Sequence, residues 1–444
     1  MTTARTEPAW VQDALWWHVY PLGFVGAEPT AEPGAPVVHR LAHLAGWLDH
    51  VVELGASGVL LGPVFASSTH GYDTVDHLRV DPRLGDDADL DALLQAAHDR
   101  GLRVLLDGVF HHVGRDHPAF RAVLEQGPAA GTASWFRLRW PAGPWAPGTE
   151  PDYDDFEGHH ALVALDHGHP AVVDHVADVM LHWLDRGADG WRLDAAYAVP
   201  PGFWAQVGER VRARHPDAYL VGEVIHGDYA AFVQESGLDS VTQYELWKAV
   251  WSALNDGNPH ELAHALGRHA GFLEHFVPYT FLGNHDVTRI ASRLADPRHL
   301  AHALVVLCTT GGTPSVYAGD EHGFRGVKQD RAGGDDEVRP PFPATPGELS
   351  PVGLPVHALH QELLGLRRRH RWLHRAAPRV LEVTHEALVY EAVGGGERLV
   401  VALSTAAGEV ELRVPGATRV LAGDGVLVEG RVRLPAVGWA VLAG

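Results

Sequence analysis

Apolar residues along this chain fall into short runs that alternate with stretches of helical period. WWHVYPLGF, GVLLGPVF, RVLLDGVF, DGWRLDA, YLVGEV, SVTQYEL, YTFLGNHD and PSVYAGDE each read as a strand buried on both faces. Between them lie helix candidates at Leu90 to Arg100, Val172 to Arg186 and Pro201 to Arg214. Eight such strands with intervening helices predict an α/β fold, a closed (β/α)8 TIM barrel rather than an open sheet. The rhythm breaks at residues 113–169, a long stretch rich in Pro, Gly, Trp and Asp, which reads as a subdomain inserted after strand 3. Beyond a last helical pattern, Val356 to His370, the texture changes to short alternating strands, with Gly394 to Gly396 as a hairpin turn. The expected division is a barrel of residues 1–112 and 170–377, an insert of 113–169, and a small C-terminal antiparallel β-sandwich of 378–444.

Composition narrows what such a barrel could serve. At 444 residues, with 46% hydrophobic and 20% charged residues, the chain is long enough for one large core with satellites. A formal net charge of -21 argues against nucleic acid and anionic lipid as partners, since both call for clustered positive charge. No stretch reaches the roughly 18 apolar residues of a membrane span, and MTTARTEPAWVQDALWW lacks a signal-peptide core, so a cytoplasmic protein is expected. Cys308 is the only cysteine, which excludes an internal disulfide and a multi-cysteine metal site. The 31 histidines show no HExxH spacing, and neither a metal site nor a cofactor is expected.

In a (β/α)8 barrel, polar residues at the C-terminal ends of the strands converge on one mouth. Here Asp107 and His112 follow RVLL, Arg192 and Asp194 lie in DGWRLDA, Glu223 ends YLVGE, and His285 and Asp286 end TFLGNHD. Four carboxylates on four strands of one barrel would repel strongly, an arrangement suited to holding pKa values apart for catalysis. Glycoside cleavage needs such a pair, one carboxylate acting at the anomeric carbon and one protonating the leaving oxygen. Arg192, two residues before Asp194 and so on the same strand face, is placed to keep that aspartate ionised.

These motifs resemble glycoside hydrolase family 13, the α-amylase family, over essentially the whole chain. DGVFHH, GWRLDAA, the glutamate of VGEV, and FLGNHD match its four signatures in order and spacing. The resemblance implies a retaining hydrolase of α-glucosidic bonds with Asp194 as nucleophile, Glu223 as acid/base and Asp286 as transition-state stabiliser. It implies sugar contacts by Arg192, His112 and His285, and a structural role for Asp107 near the site. HGYDTVDHLRVDPRLG is similar to the family's GYD element, which implies Tyr72 stacking on the sugar and Asp73 binding its hydroxyls. The expected substrate is a short soluble malto-oligosaccharide, cut at α-1,4 or α-1,6 bonds.

Departures from the family pattern sharpen the expectation. His111 stands where an asparagine is usual, and Tyr197-Ala198 replaces a Lys-His pair, so the family's structural calcium is not expected. WRLDAAYAVPPGFW and AGGDDEVRPPFP resemble the neopullulanase and cyclomaltodextrinase branch. Only about ten residues precede the first strand, so the dimer built on that branch's N-terminal domain is not assumed. Trp135, Trp140, Trp145 and Tyr153 are candidate sugar platforms or packing residues. A transglycosylase or glucan isomerase would use the same carboxylates, and a non-catalytic α-glucan-binding subunit would have lost them.

Overall fold

The computed structural model describes residues 7–331 and 333–444; the first six residues of the N-terminal segment lie outside it. All eight predicted runs are strands: β1 Trp16–Val19, β2 Gly58–Leu61, β3 Arg103–Gly108, β4 Gly190–Leu193, β5 Tyr219–Gly222, β6 Ser240–Val241, β7 Tyr279–Phe281 and β8 Thr313–Tyr317. They form one parallel sheet in the order β6-β5-β4-β3-β2-β1-β8-β7. A parallel bridge between Thr242 and Tyr279 joins its two edges and closes a (β/α)8 barrel. Strand residues alternate between interior and exterior. Trp17, Leu106, Trp191 and Leu193 point out to the helices, and Trp16, Leu60, Leu105, Tyr219 and Phe281 fill the interior.

The barrel floor is plugged by rings. Trp16 and Tyr219 stack at 6.3 Å and 10°, and Trp10, from the short helix Ala9–Asp13, sets its edge against both at 6.0 Å. Gly58 pairs with Trp16 across β1 and β2, and a Cβ there would meet the Trp16 ring at 2.4 Å, so the indole fits only because position 58 has no side chain.

The helices begin earlier than apolar periodicity alone indicates. Asp87–His98 starts three residues before Leu90, because Asp86 accepts from the Ala88 and Asp89 amides while the Asp89 carboxylate accepts from the Asp86 amide. Pro170–Asp185 starts at a proline whose missing N–H is no loss in a first turn, after His169 as cap.

Between β3 and β4 the chain forms a three-stranded antiparallel sheet from His112–Gly114, His159–Ala164 and Asp155–Phe156. After helix Leu354–Arg369 come two antiparallel sheets, of five and three strands, sharing a core that includes Val389, Val400, Leu412 and Val432. Alternate residues of Ala387–Gly394, among them Leu388 and Tyr390, face the other way and pack against the barrel's own core. That strand and Glu397–Ser404 form a hairpin turned by Gly395 and Gly396, both at positive φ. Cys308 is buried, and burial pushes its thiol up to about 12, leaving it inert. Among the described residues no helix is long and apolar enough to cross a membrane.

Gly58→Val should lower unfolding free energy by about 1–3 kcal/mol, because the new side chain displaces the Trp16 ring. Denaturant titration measures it, and an unchanged midpoint would contradict the packing described.

Candidate active site

Register places the polar residues. Arg192 pairs with Asp107 on β3 and with Val221 on β5, so these three face the interior at one level. Leu193 pairs with Gly222, which sets Asp194 and Glu223 level with each other one step nearer the mouth. The ladder continues through them, with the Asp194 amide donating to Gly108 O at 3.0 Å and the Glu223 amide to Leu193 O at 2.9 Å.

One guanidinium ties the carboxylates together. Arg192 Nη1 donates to both oxygens of Asp107, at 2.7 and 2.8 Å, and to Asp194 Oδ1 at 3.0 Å, while Nη2 lies 2.7 Å from Glu223 Oε1. All four side chains are buried. Ala195 adopts a left-handed conformation, φ 45°, that points its amide at Glu223 Oε2, 3.0 Å away. Tyr244 donates to Glu223 Oε1 at 3.2 Å and accepts from Asn284, whose carbonyl takes the Asp286 amide at 2.8 Å.

Asp286 is held by a different set of partners. His285 Nε2 lies 2.8 Å from Asp286 Oδ2, and Arg339 Nη2 lies 2.7 Å from Oδ1. His285 is clamped between the rings of Tyr72, at 5.3 Å and 6°, and Tyr20, at 5.8 Å and 9°. Its Nε2 also meets the Tyr72 hydroxyl, which donates to Asp107 Oδ2 at 3.1 Å. Arg339 lies over the Tyr20 ring at 4.6 Å and donates to the His285 carbonyl.

These surroundings push the carboxyls apart. Burial and the neighbouring Glu223 raise Asp194 well above the usual carboxylate range, against the pull of Arg192. Asp107 is raised by burial, with Arg192 opposing. For Asp286, burial acts upward but is overcome by His285, Arg339 and Lys328, which hold it well below that range. One guanidinium faces three buried carboxylates, so its charge offsets only part of their mutual repulsion. Burial, followed by the charge of His111, brings His112 down to about 3, so it is a neutral imidazole, bonded through Nε2 to Tyr72 O at 2.9 Å.

Of the residues singled out in the sequence, Asp194, Glu223, Asp286, Tyr72 and His112 line one cavity of about 450 Å³, a volume typical of small-molecule sites. Arg192, Asp107 and His285 lie directly under them, bonded to the residues that line it. Asp73 does not line the cavity; its two oxygens accept the Thr69 amide at 3.1 Å and hydroxyl at 2.8 Å, which braces its loop. The four aromatic candidates of the insert do not line the cavity either. Trp135 packs on His175, and Tyr153 is buried against Phe120 and His160. Instead, the insert contributes Phe156, Glu157 and His159, with Glu157 accepting from the Tyr197 hydroxyl across the opening at 2.6 Å. Arg339 was not singled out; it lies 53 residues from Asp286 in an irregular loop, where no spacing pointed to it.

Comparison with known proteins agrees with this geometry. The family model for the α-amylase catalytic domain matches residues 40–342. A cyclomaltodextrinase of Geobacillus thermopakistaniensis is 31% identical over 434 residues, covering 92% of this chain and 71% of the relative. A cyclomaltodextrinase of a Bacillus species is 33% identical over 344 residues, and the match spans 72% of this chain and 61% of that relative's length. Among solved structures, the debranching enzyme of Nostoc punctiforme, soaked with acarbose, superposes with a TM-score of 0.82 at 26% identity, over 99% of this chain and 100% of that one. The chain belongs to the α-amylase family of glycosidases, glycoside hydrolase family 13.

Proposed function

We propose that this protein hydrolyses α-1,4-glucosidic bonds in short soluble malto-oligosaccharides with retention of configuration. The observation that carries the reading is the level placement of Asp194 and Glu223 on adjacent strands, joined through one guanidinium. Neighbouring strands stand about 4.8 Å apart, close to the roughly 5–5.5 Å between carboxyls in double displacement and too near for an inverting water. The names of the curated relatives support the choice of substrate.

Asp194 attacks the anomeric carbon while Glu223, as the acid, protonates the leaving oxygen; water, deprotonated by Glu223, then releases the sugar. Asp286, kept anionic by His285 and Arg339, stabilises the positive charge that develops at the anomeric centre. Tyr72 offers a ring face to the pyranose, His112 lines the cavity beside it, and His285 and Arg192 orient Asp286 and the other carboxylates from below. In this reading residues 1–112 and 170–377 carry the chemistry, 113–169 supply the facing wall, and 378–444 buttress the barrel.

Proton NMR during the first minutes of maltotriose hydrolysis should show the α-anomer before mutarotation; an initial β-anomer would refute retention. Asp194→Asn should reduce kcat about a thousandfold or more, some 4 kcal/mol of barrier. Glu223→Gln should slow maltotriose cleavage by about 10²–10⁴-fold yet still be glycosylated by α-glucosyl fluoride, which needs no acid. Equal loss on both substrates would remove Glu223 from the acid role.

Arg192→Met should lower stability near neutral pH by about 3–5 kcal/mol, since it leaves buried carboxylates unpaired. Without the cation their folded-state pKa values rise further. A carboxyl raised on folding stabilises the fold below its unfolded pKa and loses that contribution as pH climbs through the folded value. The deficit relative to wild type should therefore be larger at pH 8 than at pH 5, and a pH-independent deficit in urea titrations would contradict the account.

A further inference from the structure

Three histidines distant in sequence meet where the first and last βα units of the barrel come together. His50 lies on helix Leu48–Leu54, His322 in the turn Asp320–His322 after β8, and His357 on helix Leu354–Arg369. Their rings pack 4.8–5.4 Å apart, and one ring nitrogen from each lies within 4.8 Å of the others. None of the three lines the cavity of the carboxylates.

Two features point to a ligand. Both ring nitrogens of His322, and Nε2 of His357, are buried without a hydrogen-bond partner, an arrangement that proteins rarely leave uncompensated. His50, itself 5% exposed, directs Nε2 to the fully buried Glu321 carboxylate at 3.1 Å, which also accepts from Trp17 Nε1 at 3.2 Å and the Gly319 amide at 2.8 Å. That contact holds the His50 ring against the carboxylate, with the rings of His322 and His357 stacked against it at 24° and 29°, so that ligation needs the rings to turn about their Cβ–Cγ bonds. A carboxylate behind an imidazole is the usual support of a metal-bound histidine.

We propose that His50, His322 and His357 bind one divalent transition-metal ion of the zinc type, with Glu321 as the positioning residue behind His50. Three imidazoles without thiolates or clustered carboxylates suit zinc, cobalt or nickel and do not suit calcium. The ion clips the helix after β1 to the turn after β8 and to the last helix, fastening the seam at which the barrel's first and last units meet. A second histidine trio, His77, His117 and His175, lacks the required chemistry. There His117 Nδ1 accepts the Ala119 amide at 3.2 Å, which puts the ring proton on Nε2, the nitrogen left to face a metal. The absence of an HExxH spacing did not bear on this site, whose ligands come from positions 50, 322 and 357.

The test uses the full-length protein, freed of metal by chelation and titrated with zinc and cobalt chloride. Expected are one equivalent bound per chain, a cobalt d–d absorption band of nitrogen coordination, and a Tm raised by about 3–5 °C at a hundredfold excess over Kd. kcat at 25 °C should not change. His322→Ala and His357→Gln, each at a partly exposed position, should abolish binding and the Tm shift. Glu321→Gln should weaken zinc by about 10–100-fold, and His117→Gln should bind as wild type. Failure to bind at one to one, binding that survives His322→Ala and His357→Gln, or binding lost in His117→Gln would overturn the proposal.

Discussion

A single buried guanidinium, that of Arg192, makes the mouth of this barrel possible. Asp107, Asp194 and Glu223 converge within hydrogen-bonding reach of it, in a place where an uncompensated charge would cost several kcal/mol. The cation reaches all three because it sits mid-strand with its neighbours in parallel register, so an interior residue on β4 faces β3 and β5 at once. The closed sheet, the ring-filled floor and the helices outside all bear on holding that register. A slip of one residue would turn Arg192 out toward Trp191's side of the strand and leave the carboxylates without a counter-charge.

Charge counting also explains why the carboxyls differ. Arg192 supplies one positive charge to three acids, and burial raises Asp107 and Asp194 against its pull. Asp286 is bonded instead to His285 and Arg339, which with Lys328 hold it well below the usual carboxylate range. Chemically alike groups thereby take different proton affinities from their surroundings. The stack of Tyr20, His285 and Tyr72 keeps the imidazole between Asp286 and the Tyr72 hydroxyl, linking the two halves of the site.

What the sequence disclosed follows the same physics. The eight strands were legible because each is a short apolar run buried on both sides, and a polar residue ending such a run has few places to go but the mouth. Asp107, Arg192, Asp194, Glu223, His285 and Asp286 were found that way. Helix starts were misplaced where side-chain caps, as at Asp86, set them and not apolar spacing. Arg339, Tyr244 and Asn284 escaped because their partners are fixed by loop paths and sheet closure, which leave no local period. Asp73, a motif residue, stands off the cavity with its carboxylate bonded to Thr69. The His50, His322 and His357 cluster was invisible for the same reason as Arg339, since only barrel closure brings the first and last βα units together.

The central claim is that Asp194 carries the glycosyl group while Arg192 and Glu223 flank it. It is tested most directly by trapping the intermediate with a 5-fluoro-α-glucosyl fluoride and sequencing the labelled peptide by mass spectrometry. The account predicts one sugar per chain, esterified to Asp194 in the peptide containing GWRLDAA. A label on Glu223 or Asp286, or full turnover of the reagent by an Asp194→Asn variant, would contradict it.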